Sequence, residues 1–256
     1  MKLAVINFSG NVGKTTLARH LLLPRIPGAE YIAVETLNAG AEGETSMRGN
    51  QFAMLQEYLH SIDSAVVDIG ASTVDDLLDL MAQYGGSHED FDCFIVPTVP
   101  DPKQQQDTIA TLVDLARLGV PPERMRLVFN TLELGVTVDQ AFYLVADFLR
   151  EHPLAIADPA CSLRRNEIYA RVRGLRSDLL TLSRDTTDYK RLIAQAASPA
   201  QKMALGQKLA TRRLASSVLV ELDRCFAALR LTSVADAVAP SAVISSDGVA
   251  MPKATR

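Results

Sequence analysis

Ten residues near the start of the chain, N-F-S-G-N-V-G-K-T-T (Asn7 to Thr16), constrain the fold more than any others. They follow an apolar run, Lys2–Asn7, and open an amphipathic stretch predicted as a helix over Thr15–Leu23. A strand that turns through glycines into a helix is the setting in which a phosphate-binding loop has meaning. Gly10 and Gly13 permit a tight turn and a close approach of main-chain N–H groups to an anion. The helix N-terminus adds partial positive charge there. Lys14 is spaced to reach the β- and γ-phosphates, the Thr15 hydroxyl to ligate Mg²⁺, and Thr16 to meet the α-phosphate. The general pattern G-x-x-x-x-G-K-[ST] is not met, because Phe8 stands where its first glycine belongs. The competing reading is an ordinary strand–turn–helix with a surface lysine.

Further along, short apolar runs alternate with helical patterns as far as residue 157. The runs are Tyr31–Glu35, Ala65–Asp68, Cys93–Pro97, Arg126–Asn130 and Leu154–Ala157. Between them, Phe52, Leu55, Leu59 and Ile62 share one helical face, as do Val74, Leu77, Leu78 and Met81. Unbroken apolar strands alternating with such helices predict an α/β protein: a doubly wound, mostly parallel sheet covered on both faces. Ser72 and Asp101 stand at N-cap positions, and Gly119 with Pro121-Pro122 ends a helix. From residue 161 the strand signals stop, and segments 162–171, 173–184, 186–196 and 199–230 read as helices. In the last, Leu214, Val218, Leu222 and Phe226 form a stripe that packs on the body or serves a dimer or partner. The expected organisation is a nucleotide-binding domain over 1–160, a basic helical extension over 161–231 packed on it, and a disordered tail over 232–256 rich in Ser, Ala, Val and Pro.

Charge sharpens that division. Residues 1–160 carry 10 Lys/Arg and 22 Asp/Glu, whereas residues 161–256 carry 16 and 8. Either the basic part docks on the acidic body or it meets a polyanion. Its densest basic run is Arg164, Arg165, Arg171, Arg173 and Arg176, a candidate contact for non-specific DNA or a partner, with solvated arginines as the plainer alternative. The three cysteines are scattered, with neither C-x-x-C nor a Cys/His cluster, which argues against a disulfide framework or zinc site. No stretch approaches a membrane span, and the opening apolar run is too short for a secretory signal, so the expected location is cytoplasmic.

A second chemical element is A-V-V-D-I-G, Ala65 to Gly70. In nucleotide hydrolases an Asp at such a strand end, here Asp68, holds Mg²⁺ through water, and the following glycine meets the γ-phosphate. A helix cap is the other use for an Asp at that point.

Taken together, N-F-S-G-N-V-G-K-T-T resembles the deviant Walker A loop of the ParA/MinD ATPase superfamily, and V-V-D-I-G-A-S resembles its second switch. F-D-C-F-I-V-P-T-V-P-D and R-L-V-F-N resemble the later strands, and the likeness covers residues 2–157. More narrowly, the opening sixteen residues are similar to the StbB family of plasmid-stability and conjugation proteins. The resemblance implies ATP and Mg²⁺ as cofactors and a loop (Ser9, Gly10, Asn11, Val12, Gly13, Lys14, Thr15, Thr16) that holds the nucleotide. It implies Lys14 and Asp68 as catalytic residues, Asn130 as a contact to the base, and Glu35 as a low-ranked metal or water contact with a salt bridge as its alternative. The family's signature lysine falls on Ser9 and its second glycine on Asn11, so the trans cation of its ATP-sandwich dimer is missing. Hydrolysis is then slow, served by another cation such as Arg19 or Arg48, or absent.

The implied role is a ParA-like ATPase of plasmid stability, intracellular positioning or conjugative transfer. Its nucleotide state switches contact with a plasmid-encoded DNA-binding partner protein or DNA, with a homodimer possible. The alternatives are a nucleotide-binding module that does not hydrolyse and a metabolic kinase or ligase on the same fold.

Overall fold

The strands alternate their side chains between two cores, and that alternation sets the architecture. In the computed structural model, which describes residues 1–34, 49–173 and 178–231, six strands form one sheet. They are β1 (Lys2–Val5), β2 (Glu30–Ala33), β3 (Ala65–Asp68), β4 (Cys93–Thr98), β5 (Met125–Leu132) and β6 (Ser162–Arg164). Their order is β2-β3-β1-β4-β5-β6 and every pairing is parallel. Ala4, Val67, Phe94 and Leu127 face one core, and Leu3, Val66, Ile95 and Val128 face the other. Both faces are buried, which is why the strands read as unbroken apolar runs.

The first core is covered by α2 (Gly49–Ser61), α3 (Val74–Gln83), α4 (Pro102–Arg117) and the short pair α5 (Val138–Ala141) and α6 (Tyr143–Glu151). The second is covered by the helix after β1 and by α7 (Ile168–Arg173), α8 (Leu179–Arg184) and α10 (Pro199–Leu229), with α9 (Tyr189–Gln195) against α10. The chain steps from β1 outward to β2 with its helix on the second face. It returns through β3 and proceeds to β4 with helices on the first, as right-handed crossovers require. The reversal at β1 is the switch point of a doubly wound sheet, where a crevice opens at the carboxyl ends of the strands.

Several expectations change in detail. The predicted Thr15–Leu23 helix is an α-turn, α1 (Lys14–Thr16), followed by a wider π-type stretch, Leu17–Leu22, and a 3₁₀ turn, Leu23–Arg25. Pro24 lacks the N–H that the His20 carbonyl would take in an α-helix, and Arg25 Nη1 donates to that carbonyl at 2.8 Å instead. The predicted strand Leu154–Ala157 makes one isolated bridge, Arg126 to Ile156, and the sheet's sixth strand is Ser162–Arg164, inside the stretch read as helical. A turn closed by Cys161 N–H to Asp158 O, containing Pro159, breaks the edge between the two. Ser72 lies in a 3₁₀ turn and caps nothing, whereas the Asp101 carboxylate accepts from the N–H groups of Lys103 and Gln104. The stripe on α10 packs on the body, and its buried line is Ala215, Val218, Leu222, Cys225 and Leu229, with Leu214 and Phe226 at its flanks. Glu35, Arg48, Arg176 and the 232–256 tail lie outside the described residues. No helix among the described residues is long and apolar enough to cross a membrane.

Candidate nucleotide site

Two left-handed residues shape the loop after β1: Gly13, with φ of 95°, and Asn11, with φ of 59°. The expected role of Gly10 as a turn residue therefore passes to Asn11, a residue type that tolerates this region. Gly10 has open space beside it. Gly13 is needed on a second count, because a Cβ there would lie 2.3 Å from the Asn130 Nδ2 atom.

Beneath the loop runs a buried polar clamp that ties it to α4. Asn7 Nδ2 donates to Pro97 O at 2.8 Å and Thr108 Oγ1 at 2.9 Å, while Asn7 Oδ1 accepts from Ser9 N–H at 2.7 Å. Thr111 Oγ1 accepts from Phe8 N–H, and Gln104 Nε2 donates to Gly10 O. From the other side Asn130 Nδ2 donates to Val12 O at 2.9 Å, and its Oδ1 accepts from Thr131 N–H. Asn130, expected to read the base, thus gives its Nδ2 to the loop and its Oδ1 to the N–H of its own neighbour, while still lining the cleft. The Lys14 ammonium is buried and donates to Asn7 O at 3.0 Å and Ser9 O at 2.8 Å, so the loop's own carbonyls hold it in place.

A cleft of about 740 Å³ opens over this loop. Gly10, Asn11, Gly13, Lys14, Thr15 and Thr16 line it from the loop side, and Asp68, Gly70 and Asn130 from the neighbouring strand ends. Ser9 and Val12, also named from the sequence, are buried beneath the loop, where their carbonyls serve Lys14 and Asn130. Thr15 is exposed to the cleft, and Asp68 is buried at 6% exposure. Among the described residues there is no cluster of three or more His, Cys, Asp or Glu side chains able to hold a metal unaided. One carboxylate and one hydroxyl beside this strand-to-helix loop would suit Mg²⁺ carried by a phosphate, since that ion keeps several waters and takes phosphate oxygens.

The arginine run divides. Arg164 and Arg165 border the cleft, with Arg165 Nε donating to Glu133 Oε1 at 2.6 Å. Arg171 on α7 pairs at 3.0 Å with Glu167, just before that helix. Tyr31, Asn166 and Tyr169 are among the contributors to the cleft that sequence reasoning missed. Tyr31 carries no pattern that marks it, since its contact depends on strand register. Its hydroxyl donates to Asp68 Oδ2 at 2.8 Å, and the Arg19 guanidinium lies 4.3 Å from its ring centroid. Burial and that hydrogen bond hold the Tyr31 phenol above its ordinary pKa.

No protein-family model and no curated protein matches the chain. Among solved structures it is similar to apo McdA of Cyanothece, at 16% identity and a TM-score of 0.48 over 81% of this chain and 98% of that one. An ATP complex of a Cyanothece McdA variant aligns at 14% identity and a TM-score of 0.44, covering 82% and 95%. A protein described as a plasmid partition protein of Borrelia burgdorferi B31, bound to AMPPNP, aligns at 11% and 0.45, covering 81% and 98%. Likeness this distant leaves the reading of the site to its own residues.

Proposed function

We propose that the chain is a ParA-like, ATP-binding switch of the cytoplasm that hydrolyses ATP slowly and acts in plasmid stability, positioning or conjugative transfer. The observation that carries this reading is the convergence of the Gly13-Lys14-Thr15 loop and Asp68 on one cleft at the sheet's switch point. In this reading Lys14 takes up phosphate charge, and main-chain amides of the glycine-bearing loop would share it. Thr15 and Asp68 would hold Mg²⁺, which when bound neutralises triphosphate charge. Slow turnover follows from Ser9, which is buried at 5% exposure and brings no cation where the family's lysine would stand. That same feature favours the second reading, a module that binds without hydrolysing.

Partner contact belongs in this proposal to α9 and α10 more than to the arginine run. Arg165 and Arg171 are engaged with carboxylates, whereas residues 189–220 contain six Lys/Arg and no Asp or Glu. Lys190, Arg191, Lys202, Lys208 and Arg213 are exposed there. That surface suits non-specific DNA or an acidic partner protein.

Calorimetric titration with ATP, ADP and GTP, with and without Mg²⁺, tests the reading. Lys14→Ala should weaken triphosphate binding about 10- to 150-fold, the worth of a charged hydrogen-bonding group. Phosphate release lost in that variant supports the slow enzyme, and binding without release supports the inert module. No heat from any nucleotide overturns both.

A further inference from the structure

The neighbours of Asp68 carry an inference that rests on the reading just given and assigns a residue to it. In the β2–β3 register Ala33 pairs with Asp68, and Tyr31 pairs with Val66. Tyr31 and Ala33, two residues apart, share a face of the sheet, so a long side chain at 31 reaches diagonally to the one at 68. Tyr31 does so, its hydroxyl 2.8 Å from Asp68 Oδ2. The ring is held from behind by Arg19, one turn into the first helix. Among the described residues no other hydrogen-bond donor meets this carboxylate, and Oδ1 accepts none. A carboxylate buried this far is costly unless its oxygens are engaged. Both Tyr31 and Asp68 line the cleft with Thr15.

We propose that Tyr31 is the positioning residue of the metal acid: by taking Oδ2 it fixes the carboxylate and presents Oδ1 to a magnesium-bound water of the nucleotide complex. A group that orients a metal's carboxylate partner contributes to metal affinity without touching the metal, typically 10- to 100-fold. Among the described residues the Tyr31 hydroxyl donates to Asp68, and the Lys14 ammonium donates to the Asn7 and Ser9 carbonyls, so metal-free nucleotide binding should not depend on that hydroxyl. The edge strand β2 is thereby tied to metal occupancy at β3.

The test compares wild type with Tyr31→Phe, which keeps the ring under Arg19 and removes only the hydroxyl. ATP and ADP are titrated by calorimetry in excess Mg²⁺ and in EDTA, and Mg²⁺ is titrated into the nucleotide-loaded proteins. The expected result is a 10- to 100-fold weaker apparent Mg²⁺ affinity with EDTA-state nucleotide affinity unchanged within about twofold. An equal loss in both conditions makes Tyr31 merely structural and overturns the proposal, as does no change, or a gain in Mg²⁺ affinity that would mark the hydroxyl as a competitor. Asp68→Asn serves as the reference, and the Tyr31→Phe loss should largely vanish in that background. If wild type binds no nucleotide, the functional reading falls and this proposal with it. If wild type binds and Tyr31→Phe shows no metal-specific loss, only this proposal falls.

Discussion

Replacing Gly13 by Ala tests the loop's construction. A residue with a Cβ held at φ of 95° costs about 1–2 kcal/mol relative to glycine. The new methyl would also meet Asn130 Nδ2 at 2.3 Å, so the amide must swing away and leave Val12 O, a buried acceptor, without its donor. That loss costs about 1–3 kcal/mol. The sum, about 2–5 kcal/mol, corresponds to a fall of roughly 4–20 °C in Tm for a chain of this size. Thermal unfolding followed by circular dichroism reads it directly. A double-mutant cycle isolates the clash: Asn130→Ala removes the obstructing amide, so the double variant should be more stable than the two single losses predict, by about 1–3 kcal/mol. A Gly13→Ala protein within about 0.5 kcal/mol of wild type, or strict additivity in the cycle, would refute the reasoning.

Two further outcomes follow from buried ionisable groups. Burial pushes the thiols of Cys93 and Cys161 up to about 12 and raises Cys225 as well, so native protein at pH 8 should resist alkylation while denatured protein yields three modified cysteines. Rapid labelling of the folded chain would contradict this. Burial, reinforced by Arg19, holds the His20 pKa below its ordinary 6.5 against a smaller opposing pull from Asp178. The unfolded chain therefore binds the extra proton first, and stability falls as pH drops from 6.5 through the lowered folded value. His20→Gln should flatten urea-midpoint curves across that window, and an unchanged slope would rule the histidine out.

Much of this molecule could be read before its coordinates. Gly13 before Lys14 marked a tight bend between a strand and a helix, and the structure holds it at positive φ. The two-sided sheet was legible in runs such as A-V-V-D, since both faces of the inner strands are buried. What escaped depends on register and on single missing donors. Pro159 breaks an edge strand that hydropathy alone extends through Leu154–Ala157. Pro24 widens the first helix from a position its periodicity does not reveal. Asn130 gives its Nδ2 to Val12 O and its Oδ1 to Thr131 N–H, and sequence spacing carries no sign of such directions. Tyr31 is a diagonal neighbour of Asp68 only once β2 and β3 are aligned.

The clamp of Asn7, Thr108, Thr111 and Gln104 has a mechanical corollary. If the loop receives an anion as proposed, a seat already moulded by a helix on one side and by Asn130 on the other needs little reordering, so small entropy losses would accompany capture. The loop is then a rigid seat. Under the proposed function the ammonium of Lys14 would trade the Asn7 and Ser9 carbonyls for phosphate oxygens. Under that proposal a large response to nucleotide would originate at the margins of the seat, where β2 and β3 deliver their last residues.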